Sequence, residues 1–249
     1  MKFLFIVQGE GRGHFTQAIT LEEMLLRNGH EVVEVLVGKS STRTLPGFFN
    51  RSIHAPVKRF ISPNFLPTAD NKRANLTKSF AYNLLRLPKY LRSMYYINQR
   101  IRETGAEVVI NFYELLTGLT YALFRPSVPY ICVGHQYLFL HRDFEFPDKN
   151  SCQLWMLRFF TRMTALRSSK KLALSFLEME QDDMNQIVTV PPLIRQEVTA
   201  IRPEKGDYIH GYMVNSGFAD SVESFHAKHP EVPLTFFWDR SDAEEVTQI

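Results

Sequence analysis

Cysteine is scarce in this chain of 249 residues: there are 2, Cys132 inside an apolar stretch and Cys152 at a helix start. That excludes a disulfide framework and a cysteine-rich zinc site. The histidines supply no substitute, because His30, His54, His141, His210, His226 and His229 show no spacing that builds a metal site; neither a metal nor another cofactor is expected. Long apolar runs are missing too, none approaching the roughly 20 residues that a membrane-spanning helix needs. Met1-Lys2 leads straight into a strand with no small-residue cleavage site, so a signal peptide is not expected and the cytoplasm is the expected location. Net charge is only +3, too little to point to nucleic acid as a partner. What the chain does have is 45% hydrophobic against 22% charged residues, the mixture of a globular protein with a sizeable core.

Short hydrophobic strands alternate with helical stretches, an order that predicts an α/β fold with a doubly wound, mostly parallel sheet covered on both faces. Expected strands are Phe3–Val7, Glu31–Val37, Val57–Ile61, Glu107–Asn111, Pro129–Val133 and Lys171–Phe176. Expected helices are Phe15–Asn28, Leu115–Phe124 and Gln153–Ser168. Residues 40–68 read as irregular around the one short strand, and Asn71–Arg102 as helical but interrupted at Pro88, since proline removes a backbone donor. From Pro203-Glu204-Lys205-Gly206 a polar linker leads to a new strand, helix and strand at Tyr208–Met213, Ser221–Lys228 and Leu234–Trp238. The pattern divides the chain into a Rossmann-like domain over 1–203 and, over 204–249, a linker and the start of a second α/β domain. About 45 residues are few for an independent core, so the sequence is expected to end inside that domain.

The most informative segment is Gly9-Glu10-Gly11-Arg12-Gly13-His14, between the first strand and the first helix. A strand, a glycine turn and a helix start in that order gather backbone N–H groups and an imidazole at one helix N-terminus, a natural place for an anion or polar ligand. The dinucleotide fingerprint would need a third glycine where His14 stands and an acid after the second strand, which ends instead in Gly38-Lys39. A phosphate-binding loop would need Lys and Ser/Thr where Phe15-Thr16 stand.

What remains, the glycine turn ending in His14 and followed by Thr16, Gln17 and Ala18, together with the junction Gly29-His30-Glu31-Val32, resembles the N-terminal domain of GT-B glycosyltransferases related to MurG. The resemblance covers roughly 1–203 and the opening of a donor-side domain. It implies a hexosyl- or N-acetylhexosaminyl-type transferase that takes a nucleotide-sugar donor, bound mostly by the second domain, and a glycan or lipid-linked acceptor held by the first. On this reading Gly11, Arg12, Gly13 and Thr16 approach donor phosphates or acceptor, and His14 or Glu114 serves as base. The donor-side motifs of the family are missing from 204–249, so the chain alone is expected to be inactive.

In a doubly wound sheet, ligands bind outside the carboxyl ends of the strands. Two further loops qualify: Asn111-Phe112-Tyr113-Glu114 and Gly134-His135-Gln136-Tyr137. With His14 they form three neighbouring rims of one cleft, and Asn111, Tyr113, Gly134, His135, Gln136 and Tyr137 are the expected substrate contacts. The glycine before His135 suggests a tight turn that frees the imidazole. The plainer reading makes His14 and His135 packed or satisfied loop residues, and Glu114 a first-turn acid that suits the helix dipole.

Two segments, Leu84–Tyr96 and Leu154–Lys171, mix bulky apolar and basic residues, a pattern for seating a helix on an anionic bilayer at the inner face of the membrane. Such helices also occur as core-covering helices whose Arg stems reach outward. Two other functional readings share the fold. One is a non-catalytic binding or regulatory module that covers its apolar surface by forming a homo-oligomer. The other is a sugar-nucleotide epimerase, which typically relies on acidic groups and an anion-binding second domain absent from this sequence.

Overall fold

A computed structural model of the protein describes residues 1–39, 45–64, 66, 76–146, 151–213 and 216–238. In chain order the elements are β1 (Lys2–Gln8), α1 (Arg12–Arg27), β2 (Glu31–Lys39), α2 (Gly47–Ser52), β3 (Val57–Ile61), α3 (Leu76–Leu84), α4 (Leu87–Glu103), β4 (Val108–Phe112), α5 (Leu115–Phe124) and β5 (Tyr130–Val133). A 3-10 turn (His135–Leu140), α6 (Cys152–Thr164), β6 (Lys170–Leu174), β7 (Ile187–Val190), α7 (Gln196–Thr199), β8 (Ile209–Met213), α8 (Ala219–Lys228) and β9 (Leu234–Trp238) complete the chain. Parts of the irregular stretch 40–68, the start of the helical stretch 71–102 and the last residues of 204–249 lie outside the described residues.

Seven strands form one parallel sheet in the order β3-β2-β1-β4-β5-β6-β7. The expectation of a doubly wound α/β sheet therefore holds. β1 is buried from Phe3 to Val7, as a central parallel strand must be when helices cover both faces. Alternation divides its side chains between two cores. Leu4 and Ile6 pack with Ile97, Ile101 and Leu116 from α4 and α5. Phe3, Phe5 and Val7 pack with Phe15, Ile19 and Phe49 from α1 and α2. α1 ends where Gly29 adopts φ 73°, with Gly29 N donating to Leu26 O and His30 N to Leu25 O, and the chain turns directly into β2.

The helical stretch around Pro88 is two helices, and Pro88 sits in the first turn of α4, where its missing N–H costs nothing. Short α2, α7 and β7 and the 3-10 turn were not expected from sequence; the sheet continues one strand past β6 because Ile187–Val190 pairs along Lys171–Leu174.

The chain separates into two compact units, one of 1–64 and 86–200, the other of 65–85 and 201–249. Within the second unit β8 and β9 run parallel, Ile209 opposite Leu234, and Gly211 lies under the ring of Phe236.

α5 crosses α6 so closely that a Cβ on Gly118 would lie 2.1 Å from the Met163 carbonyl oxygen and 2.8 Å from the Thr164 carbonyl carbon. These are backbone atoms that cannot swing aside. Gly118→Ala is expected to lower unfolding stability by about 2 kcal/mol or more in urea denaturation; a loss within experimental error would show that the two helices part freely.

Candidate active site

β1 and β4 are the adjacent strands from which the sheet winds in opposite directions, so their carboxyl ends border the crevice where this architecture places ligands. The loop after β1 is held from below: Gly9 N donates to Gly38 O at 2.7 Å, and a Cβ on Gly9 would meet that same oxygen at 2.7 Å. Gly11 then caps α1 in extended conformation, with no capping side chain. Nothing lies within 4 Å of a Cβ built on Gly13. Gly13 and Arg12 are exposed, and Thr16 donates its hydroxyl to Gly13 O at 2.8 Å.

His14, in the first turn of α1, is 6% exposed. Its ring stacks on Tyr113, centroids 5.9 Å apart and planes within 17°. Gln136 brings its Nε2 to 3.4 Å from His14 Nε2. His14 Nδ1 is buried without a hydrogen-bond partner, and so are Gln17 Oε1 and Gln136 Oε1. Burial pushes the His14 pKa down to about 4; the nearby His135 imidazole lowers it further and a weak interaction with Gln17 opposes the shift. His14 is therefore a neutral imidazole at pH 7. His135 is on the exposed side of the 3-10 turn and is itself lowered by desolvation.

Tyr113 is turned onto His14 by a left-handed backbone, φ 61°, a costly conformation for an aromatic residue that persists only where the surroundings enforce it. Its hydroxyl lies 2.8 Å from Thr161 Oγ1, and since Thr161 Oγ1 donates to Leu157 O, the phenol is the donor. Asn111 enforces the turn. Its Oδ1 accepts from Glu114 N at 2.9 Å, while its Nδ2 donates to Thr164 O at 2.9 Å and to Glu114 O at 3.2 Å.

Glu114 is the cap of α5 and is fully buried. Oε1 accepts from Ser62 Oγ at 2.5 Å and from Leu116 N at 3.1 Å. Oε2 has no hydrogen-bond partner and occupies the space above Gly38, where a Cβ would stand 2.3 Å from it. Burial raises the Glu114 pKa to about 7, partly opposed by the Ser62 and backbone hydrogen bonds and assisted by Glu10.

The residues expected at the cleft thus sort into two sets. Arg12, Gly13 and His135 are at the surface, with Gly11, Thr16 and Gln136 half-buried and His14 just beneath. Asn111, Tyr113, Glu114 and Tyr137 lie inside and support them, Tyr137 through its hydroxyl, 3.1 Å from Thr164 Oγ1. Gly134 has an extended backbone at φ 161° and caps the 3-10 turn rather than making a tight turn of its own. Sequence reading missed Gly38, Ser62, Thr161 and Thr164, whose side chains or backbones come from elements far along the chain. Among the described residues no group of three or more His, Cys, Asp or Glu side chains is placed to hold a metal ion.

The family model described as Glycosyl transferase family 1 matches residues 1–245. No curated protein matches the chain by sequence. Among solved structures, the putative UDP-N-acetylglucosamine 2-epimerase from Listeria monocytogenes is similar at TM-score 0.59 and 12% identity, covering 97% of this chain and 63% of that one. The glycotransferase of kitacinnamycin is similar at TM-score 0.56 and 12% identity, covering 99% and 68%. UGT89C1 of Arabidopsis thaliana, complexed with UDP-L-rhamnose, is similar at TM-score 0.54 and 13% identity, covering 99% and 66%. At these identities the likeness is one of fold. The chain spans about two thirds of the length of these solved structures.

The buried carboxyl makes stability depend on pH. Its folded pKa is raised from 4.5 to about 7, so its contribution is fully present below pH 4.5 and is lost as pH rises through 7. Glu114→Gln keeps the cap and cannot ionise. It is expected to gain stability relative to the wild type between those limits, by about 3 kcal/mol at the upper plateau, read from urea midpoints across pH; a difference that does not change with pH would refute the assignment.

Proposed function

The chain belongs to glycosyl transferase family 1, and from that premise we propose that it serves sugar transfer from a nucleotide-sugar donor to an acceptor hydroxyl, its first unit holding the acceptor. The observation that carries this reading is a neutral imidazole, His14, seated by Tyr113 and Gln136 at the switch point of a GT-B sheet. The acceptor oxygen attacks the anomeric carbon while its proton passes to His14 Nε2, and the bond to the nucleoside diphosphate breaks. The hydroxyl reaches Nε2 by taking the place of Gln136, whose contact is long and whose Oε1, without a partner, can accept from a second hydroxyl of the acceptor. The uncapped start of α1 at Gly11–Gly13 faces the departing phosphates with positive potential. Glu114, fully buried, acts from behind by fixing the loop that carries Tyr113.

The glycine turn ending in His14 and the Gly29–Val32 junction support a place in the MurG-like group, with a UDP-sugar as donor and a glycan or lipid-linked acceptor. Residues 204–249 are read as part of the donor side.

Among the described residues no helix is long and apolar enough to cross a membrane. Peripheral contact is supported by α4 and α6, where exposed Leu87, Leu91, Tyr95, Trp155 and Phe159 stand among exposed Lys89, Arg92 and Arg162. Cosedimentation with anionic vesicles at low salt, weakened by Trp155→Ala together with Arg162→Ala, is the expected result; no cosedimentation by the wild type removes the membrane from the reading.

His14→Ala, assayed by release of UDP from UDP-sugars in the presence of acceptor, is expected to lower turnover about 10²- to 10⁴-fold without changing the thermal midpoint by more than a few degrees. Undiminished turnover would defeat the assignment.

A further inference from the structure

A neutral imidazole is a directed base: only the nitrogen without the proton can accept one, and which nitrogen that is depends on the hydrogen bonds of the other. In His14 the two nitrogens have different neighbours. Nε2 faces the amide nitrogen of Gln136 at 3.4 Å, and an amide NH2 only donates, so Nε2 is the acceptor and the ring proton is on Nδ1. That proton points into the protein, where Nδ1 is buried and meets no partner at hydrogen-bond distance. One turn along the same helix, three residues on, Gln17 carries an acceptor, Oε1, that is also buried and also without a partner. A donor and an acceptor left unsatisfied on neighbouring positions of one helix each carry a desolvation cost that their pairing removes.

We infer that Gln17 is the positioning residue that fixes the tautomer of His14, its Oε1 accepting the Nδ1 proton so that the Nε2 lone pair faces Gln136 and the mouth of the site. The arrangement differs in kind from a carboxylate behind the imidazole. A neutral amide orients the ring without stabilising its protonated form by charge, consistent with the low pKa of His14, to which Gln17 contributes only a small upward shift. The titratable groups facing the imidazole are His135 from the 3-10 turn and Tyr113 from the end of β4, and neither is an anion at neutral pH. Of the buried carboxyls, Glu22 on the same helix accepts from the backbone of His54 and Ala55, and Glu114, beside Tyr113 in sequence, accepts through Oε1 from Ser62 and Leu116.

The catalytic meaning rests on the reading of His14 as proton acceptor, but the tautomer does not, and the experiment separates them. Histidine side-chain 15N NMR of the labelled full chain at pH 7, with His14 assigned by its contacts to Tyr113, is expected to show Nδ1 protonated and Nε2 unprotonated. Gln17→Leu, similar in size and without an acceptor, is expected to give a mixture of tautomers. Gln17→Glu is expected to restore the Nδ1–H form and to raise the His14 pKa by about one unit or more, because a carboxylate favours the imidazolium. The acid limb of the rate profile should move up with it. An Nε2–H tautomer in the wild type, or an unchanged tautomer in Gln17→Leu, overturns the inference, and the wild-type spectrum decides even if Gln17→Leu fails to fold. If the spectra are as expected while His14→Ala retains full turnover, the tautomer assignment stands and the catalytic reading falls.

Discussion

The carboxyl ends of four of the seven strands are tied together through one buried carboxyl group. Glu114 ends the turn after β4, and its Oε1 is held by Ser62, which follows β3, and by the first turn of α5. β3 and β4 are separated by β2 and β1, so the link crosses over the ends of both intervening strands. It can do so because Gly38 stands at the end of β2, where any side chain would occupy the place of Oε2. Gly9 in turn lies against Gly38 O, which brings the start of the glycine turn onto the same support. Four strand ends are thereby fixed relative to each other.

The same turn transmits that fixation to the imidazole. Asn111 closes on both backbone polar groups of Glu114, and of the two residues between them Tyr113 is forced to positive φ. Strain of this kind costs on the order of 1–3 kcal/mol and must be offset nearby. Here the offset comes from a buried phenol bonded to Thr161 and from the stack on His14. The fold thus spends local backbone strain on ring placement, which explains why a bulky aromatic rather than glycine occupies a left-handed position.

How far the sequence discloses this depends on how local each constraint is. The strands of the first unit up to β6, their succession along the chain and the glycine turn follow from hydrophobic runs and from what short-range chemistry forbids, and Pro88 marks a helix boundary by its missing donor alone. The three loops were also legible, because they follow strands in a parallel sheet. Which of their residues face outward was not. Asn111, Glu114 and Tyr137 are polar and sit at or after strand ends, yet they are buried by partners from α6 and from the end of β3 that lie 27 to 53 residues away in the chain. β7 was invisible for a similar reason: Ile187–Val190 is a short run whose strand character comes from pairing with β6.

The two titratable groups at the centre are displaced in opposite senses and arrive at the same charge. Burial makes Glu114 hold its proton up to about pH 7 and makes His14 refuse one until about pH 4, so around pH 5 to 6 both are predominantly neutral. His14 lies in the first turn of α1, whose positive end also disfavours an imidazolium. That same end is what would favour an anion beside Gly11 and Gly13. On the proposed reading these two effects are coupled through one potential: negative charge gathering on a departing phosphate offsets the helix-end field, one of the influences that add to burial in disfavouring the imidazolium. The imidazole then becomes a stronger base as the leaving group departs, and a resting pKa far below neutrality is compatible with proton transfer at the moment the sugar moves.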